Sequence, residues 1–393
     1  MRSVLDMYDY QHGIAELYGT LQDDLSREVF WARLQADAEK EATINAESQF
    51  TGMLKLIDLR KAAPEKEALD QWRDRCKQLA QENKRVILYG TAFTGRFLAR
   101  HLLSTGVDFY GFCGRSAEKF PHGLMGKPVV TPQWLIESGR DCYVIITATK
   151  NNGSYQEIES FLRQSDFPEA QILSSFWEDC REAALEWVRN FQYFEFPELY
   201  EPGTAFIDGG CLDGDSSIRF SKMAGKYSKI FAFEPDTISK KLCEANMSAA
   251  GLHDFQVIEA GLSNRIGTAE FFATHSESSF VLSEHSPEKP LPFSGEYTSI
   301  RTVILDDIVG NETVGFIKMD IEGAEYGALH GAERTIRRDR PLLAICVYHR
   351  PGDLLAIMDY CHRLIPEYRF WLRHYYMNST ETVLYASIKS LTR

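Results

Sequence analysis

The stretch Phe206-Ile207-Asp208-Gly209-Gly210-Cys211-Leu212-Asp213-Gly214-Asp215 runs from an apolar strand, through a carboxylate, into a glycine loop. Gly210 and Gly214 let the backbone turn sharply and approach a ligand with no Cβ in the way. Gly209 belongs to the same turn. The helix expected from Ser216 to Met223 presents its positive dipole end to the resulting cleft. A second apolar run, Lys229-Ile230-Phe231-Ala232-Phe233, ends in Glu234-Pro235-Asp236. An acid there, roughly 20 residues past a glycine loop, is placed to hydrogen-bond a ribose diol. The pattern predicts a Rossmann-like sheet with a nucleotide-type ligand at its carboxyl edge.

The acid at Asp208 narrows the ligand. A dinucleotide loop has glycine at that point to admit a pyrophosphate, and a carboxylate against two phosphates is unfavourable. S-adenosylmethionine carries an ammonium and a sulfonium and no phosphate, so acids suit it. Outward from the loop, Val257 to Ser263 reads as a third strand and its exit turn, where an adenine would lie. Gly315 to Glu325 reads as a fourth strand that delivers Asp320, Glu322 and Glu325 to the edge where open α/β sheets bind ligands. A fifth strand, Leu342 to Val347, ends in Tyr348-His349. The runs 368–372 and 381–386 pair as a terminal antiparallel hairpin, which fits a methyltransferase sheet better than a dehydrogenase sheet.

These residues resemble the FkbM family of methyltransferases. Four stretches carry the resemblance: Phe206 to Gly214, Phe233-Glu234-Pro235, Leu305-Asp306-Asp307, and above all Ile317-Lys318-Met319-Asp320-Ile321-Glu322-Gly323-Ala324-Glu325. The tail, Val347 to Pro351 with Leu372-Arg373-His374 and Thr382 to Tyr385, is similar too. The specific match spans about residues 203 to 387. The resemblance implies a class I methyltransferase fold with S-adenosylmethionine as methyl donor, and hydroxyls on sugars, polyketides or other secondary metabolites as acceptors. It places Asp208, Gly210 and Gly214 at the methionine end and Glu234, next to Pro235, on the ribose. Gly261 and Ser263 fall beside the adenine and Asp320 at the reacting centre.

Methyl transfer is an in-line displacement that needs an aligned acceptor and often a base. His349 is the candidate base, since an imidazole takes a proton near neutral pH; a strand-capping role is weighed level with it. Asp320 and Glu322, alternating along a strand end, are expected to face opposite sides. Glu325 is expected to begin a helix as a dipole partner, and His374 to be structural. A divalent metal on Asp320, His349 and water is weighed below the metal-free reading, because the spacing supplies no dedicated ligand set. N-methylation of a peptide or amino acid, a non-catalytic binding protein, and an NAD-dependent oxidoreductase are the alternatives, the last disfavoured by Asp208.

The remainder of the chain is read around that domain. Residues 1–84 form an N-terminal helical segment, 85–175 a smaller Rossmann-like α/β domain, 176–202 a helical connector, and 203–393 the methyltransferase domain. In the smaller domain Gly90 to Gly95 imitates a dinucleotide loop, but Ala92 replaces the central glycine and no acid follows Phe112. A scaffold role is favoured there over a working NAD site, in a domain that resembles modules found beside sugar-modifying enzymes. The loop 275–299, rich in Ser, Glu and Pro, is expected to recognise the acceptor.

Bulk composition excludes several function classes. Of 393 residues, 44% are hydrophobic and 25% charged, with a formal charge of -13, which is enough for two globular domains. The acidic balance and the lack of a basic run argue against nucleic acid. No apolar stretch approaches the ~20 residues that span a bilayer, so no membrane partner is expected. Eight scattered cysteines with no C-x-x-C pair read as free thiols of a cytoplasmic protein. The expected partner is a small-molecule acceptor, with a homo-oligomer left open.

Overall fold

The computed structural model describes residues 13–41, 52, 55–56, 59, 65–150, 153–174, 176–273, 280–281 and 296–391. The chain forms two compact units, one of residues 42–189 and one that joins 1–41 to 190–393. Two helices open the described chain, α1 (Gly13–Thr20) and α2 (Asp24–Glu41). Both belong to the second unit.

The unit of residues 42–189 begins with α3 (Lys66–Gln81), which buries Leu69, Trp72, Cys76 and Leu79 at helical spacing. Then follow β1 (Val86–Tyr89), α4 (Phe93–Ser104), β2 (Gly111–Cys113), β3 (Val129–Val130) and α5 (Pro132–Ser138). The unit closes with β4 (Tyr143–Ile146), α6 (Ser154–Gln164), β5 (Ile172–Leu173) and α7 (Phe176–Phe191). Its sheet has the order β3-β2-β1-β4-β5, parallel throughout, as strands joined by helices require. A Cβ at Gly90 would stand 2.3 Å from Thr147 Oγ1, and one at Gly95 2.1 Å from the Gly90 carbonyl. Close packing within the loop and against the end of β4 therefore accounts for both glycines without a ligand.

In the second unit the chain continues with β6 (Ala205–Gly209), α8 (Asp215–Ala224), β7 (Ile230–Phe233), α9 (Thr237–Ala249) and β8 (Phe255–Ile258). An excursion follows: β9 (Gly261–Leu262), β10 (Gly267–Ala273), β11 (Phe280–Val281) and β12 (Glu296–Val303), paired as a second sheet of order β11-β10-β12-β9. The main sheet resumes through α10 (Leu305–Val309), β13 (Val314–Met319), α11 (Glu325–His330), α12 (Glu333–Asp339) and β14 (Leu342–Cys346). It ends with α13 (Asp353–Leu364), β15 (Arg369–His374) and β16 (Thr382–Ser387).

The main sheet has the order β15-β16-β14-β13-β6-β7-β8. Strands β14, β13, β6, β7 and β8 are parallel, and β16 runs antiparallel to both β14 and β15. Every residue of β6, β7, β13 and β14 is buried, the signature of strands covered on both faces. Phe206 stacks on Phe220 with ring centroids 4.1 Å apart and meets Phe316 at 5.1 Å. Such aromatic pairs contribute about 0.5–1.5 kcal/mol each beyond burial, and here they anchor the strand that leads into the glycine loop. The terminal hairpin expected from the sequence is present.

One expected boundary is corrected. Residues 1–84 are not a single helical segment, because α1 and α2 join the C-terminal unit and α3 does not. The cause lies at the sheet edge. Ser26 Oγ accepts the Leu372 N–H at 3.0 Å, and Arg373 pairs with Asp23 at 2.6 Å, so α2 covers groups that an edge strand would leave open. No helix among the described residues is long and apolar enough to cross a membrane.

Candidate active site

Strand direction gathers the site. β6, β7, β13 and β14 are parallel, with Gly209 opposite both Phe233 and Met319 and Met319 opposite Ile345. The segments that follow them, carrying Gly210, Glu234, Asp320 and His349, therefore leave from one edge. The order of connection reverses between β6 and β13, and ligands of open α/β sheets bind at such a switch point. There a Cβ on Gly210 (φ 74°) would stand 1.9 Å from the Asp320 carbonyl oxygen. Gly214 (φ 87°) precedes α8 and leaves room for Met247 and Cys243.

Asp208 is buried at the end of β6. Its side chain is wholly buried, 3.1 Å from Lys318 Nζ, and its Oδ2 accepts hydrogen bonds from Ser216 and Ser217, both at 2.6 Å. Lys318 also donates to the carbonyls of Gly209 and Gly210 at 3.1 and 2.7 Å. The pair thus fixes the glycine loop from beneath. A buried charge needs a partner, and Lys318 supplies it to the Asp208 carboxylate expected at the methionine end. Sequence reading assigned no role to Lys318, although a lysine between Ile317 and Met319 in an apolar strand signals a buried counter-charge.

Glu234 is buried at the end of β7. Its Oε2 accepts the Leu212 N–H at 3.1 Å and its Oε1 the Asp236 N–H at 2.9 Å. Burial dominates and pushes its pKa up to about 7, against those two hydrogen bonds. Asp236 caps α9 through Ile238 and Ser239. Beside it lies a cavity of about 500 Å³ lined by Pro235, Thr237, Glu259, Thr298 and Arg301 among others. Gly261 and Ser263 do not line it. Gly261 pairs with Thr302 in the second sheet, and the Ser263 N–H donates to the Val303 carbonyl at 2.9 Å. The two residues expected beside an adenine are thus drawn toward β12, whose pairing takes up that part of the chain. Of the stretch 275–299, expected to recognise the acceptor, all but 280–281 and 296–299 lies outside the described residues.

The carboxylates after β13 converge on His349. Glu325 Oε1 lies 2.9 Å from Nδ1, while Asp320 Oδ1 and Glu322 Oε2 lie 3.4 and 3.5 Å from Nε2. Asp320 and Glu322 were expected on opposite sides. They share one imidazole because the strand ends at Met319 and the chain turns through positive φ at Glu322 (55°) and Gly323 (91°). Glu325 does open α11, and its Oε1 accepts the Ile321 N–H at 2.8 Å as well. Burial opposes charge on His349, yet Glu325, Asp320 and Glu322 outweigh it and push its pKa up to about 10. Burial raises Glu322 to about 8. The three carboxylates thus favour the protonated imidazole over the free base expected of His349.

An outer ring supports Asp320. Tyr193 donates to Asp320 Oδ2 at 2.5 Å, and Tyr348 lies 3.3 Å from both Asp320 Oδ1 and Glu381 Oε1. Tyr193 and Glu381 sit far from the motif in sequence and carried no signal of this role. His374, by contrast, bonds Thr382 at 2.9 Å within the terminal hairpin, the structural place expected for it.

The sheet order, the antiparallel β16 next to β14 and the glycine loop at the switch point define a class I methyltransferase fold. Residues 208–375 match the family model described as the methyltransferase FkbM domain. Over that stretch the C-terminal unit is similar to the FkbM methyltransferases. The chain is 30% identical over 156 residues to the 2-O-methyltransferase NoeI of Sinorhizobium fredii (strain NBRC 101917 / NGR234), a match covering 36% of this chain and 63% of that protein. Among solved structures, methyltransferase FkbM from Methylobacillus flagellatus KT aligns with 82% of this chain and 98% of its own, at 19% identity and a TM-score of 0.40. An O-methyltransferase from Bacillus cereus, in complex with SAH, aligns with 47% of this chain and 74% of its own, at 14% identity and a TM-score of 0.29.

Proposed function

We propose that this methyltransferase uses S-adenosylmethionine to methylate a hydroxyl oxygen of a small-molecule acceptor of the sugar, polyketide or related secondary-metabolite kind. The observation that carries the reading is the close approach of Gly210 to Asp320, which sets the glycine loop beside the cluster on His349. The residues suit that cofactor. Gly210 and Gly214 put no side chain at the two ends of the loop, and each Glu234 oxygen accepts a single backbone N–H, leaving lone pairs for a ribose diol. The acids around Asp320 suit a bound ammonium and sulfonium. A pyrophosphate is disfavoured, because the nearby cation, Lys318, is committed to Asp208.

When bound, the cofactor supplies an electrophilic methyl group on sulfur. The chain's own residues place the acceptor hydroxyl against Asp320 and His349, where neighbouring carboxylates stand ready to take up its proton. The named activity of the NoeI relative, a 2-O-methyltransferase, supports oxygen as the nucleophile. Two measurements test the reading. Calorimetry with S-adenosylhomocysteine is expected to show one site per chain, and its absence overturns the cofactor. A panel of hydroxylated and amine acceptors, read by mass spectrometry, is expected to gain a methyl group on oxygen; exclusive methylation of amines overturns that part.

A further inference from the structure

The residues on His349 have the makings of a metal centre as well as of a proton-handling group. Asp320, Glu325 and His349 are the one group among the described residues in which three such side chains bring donor atoms within 4.8 Å of one another. We propose that these three side chains bind a single divalent cation, with Glu322 at its edge.

The His349 side chain is 8% exposed, and neither ring nitrogen makes a well-aligned hydrogen bond despite the carboxylates around it. Its Nε2 lies 3.4 Å from Asp320 Oδ1 and 3.5 Å from Glu322 Oε2, both off the axis on which a ring N–H would donate. Adjacent ligands of an octahedral ion with bonds of about 2.1 Å stand about 3 Å apart, so these spacings leave room for an ion at little cost in movement. Glu325 is wholly buried at the start of α11. Its Oε1 lies 2.9 Å from Nδ1 and accepts the Ile321 N–H at 2.8 Å, while its Oε2 has no hydrogen-bond partner. Buried polar atoms without partners carry a desolvation cost that a ligand removes.

Two carboxylates and one imidazole suit Mn²⁺ or a similar divalent ion better than a soft metal, which prefers thiolates. Cys346 also lies near Asp320, but its sulfur is buried and its pKa is pushed well above the ordinary value, chiefly by burial. The role of the cation rests on the O-methyltransfer reading: it would draw the acceptor oxygen to the cluster and ease removal of its hydroxyl proton.

The test uses the full chain, stripped with EDTA and titrated with Mn²⁺ alone while the electron paramagnetic resonance signal of free Mn²⁺ is followed. One equivalent is expected to bind, with affinity reduced at least tenfold in His349→Ala and in Glu325→Gln, each checked for folding by near-UV circular dichroism. Failure of the wild-type chain to bind Mn²⁺ overturns the site, as do folded variants that bind it as tightly as wild type. Calorimetry with S-adenosylhomocysteine in EDTA separates the two readings. Binding there without Mn²⁺ binding removes the metal and leaves the methyltransferase cofactor. Mn²⁺ binding without S-adenosylhomocysteine binding does the reverse.

Discussion

Lys318 Nζ lies 3.1 Å from Asp208 Oδ1 on the neighbouring strand, both side chains buried, and the same ammonium bridges the carbonyls of Gly209 and Gly210. One cation thus neutralises the acid at the end of β6 and holds the loop that follows it. Removing one partner of such a pair strands the other charge, at a cost of about 3–5 kcal/mol. Lys318→Met is therefore expected to lower thermal stability markedly. The double variant Lys318→Met/Asp208→Asn is expected to recover part of that loss, because the uncompensated charge is gone. Thermal unfolding of the three proteins checks this; a single variant as stable as wild type would contradict it.

Gly210 is constrained by position more than by flexibility. A methyl group there would meet the Asp320 carbonyl at 1.9 Å, on a backbone at φ 74°. Both the contact and the dihedral oppose a side chain. Gly210→Ala is expected to push the loop away from Asp320 and weaken S-adenosylhomocysteine binding at least tenfold by calorimetry. Gly225, also at positive φ but with open space around its Cβ position, serves as the control. Gly225→Ala is expected to cost stability while leaving affinity near wild type.

Much of the main sheet is legible because its strands are short apolar runs closed by polar residues. Ile230 to Phe233 before Glu234 and Val314 to Met319 before Asp320 are examples. Parallel strands then bring their ends to one edge with no further information. What pattern reading misses is pairing between distant positions. Asp208 looked like a ligand-facing acid because Lys318, its counter-ion, lies on another strand. Glu322 looked opposed to Asp320 because period-two alternation was carried past Met319, where the chain has already left the strand. The second sheet went unread: only Gly261-Leu262 was seen, as the tail of the preceding strand, while β10 and β12 pair across the polar stretch between them.

The docking of α2 was hidden for the same reason. Arg373 is buried in β15 and reaches Asp23 at 2.6 Å and Glu195 at 2.8 Å. These carboxylates outweigh the burial that opposes its charge and hold its pKa above the ordinary arginine value. Arg373→Met is expected to destabilise the C-terminal unit by about 3 kcal/mol, since it leaves Glu195 and the partly exposed Asp23 without their cation. Urea unfolding followed by tryptophan fluorescence, with Trp371 in the same strand, reads the change. Deletion of residues 1–41 is expected to lower stability as well, an effect absent if those residues were a separate appendage.

Glu234 supplies a pH signature. In the free protein its pKa stands at about 7, above the ordinary 4.5, because burial penalises the carboxylate. A ribose diol donates hydrogen bonds to the charged form and favours it. Bound cofactor therefore lowers the pKa, and binding below pH 7 must expel a proton. Linkage then requires affinity to rise as pH increases toward about 7 and to level off above it. Stability of the free protein runs the opposite way. The folded state holds a proton that the unfolded state has released between about pH 4.5 and 7, so this group's contribution falls as pH rises through that window. Calorimetric titration with S-adenosylhomocysteine from pH 5 to 8 measures the first effect. Glu234→Gln cannot titrate and is expected to bind more weakly at pH 8 with the slope below pH 7 abolished. A slope that survives the substitution would assign the proton to another group.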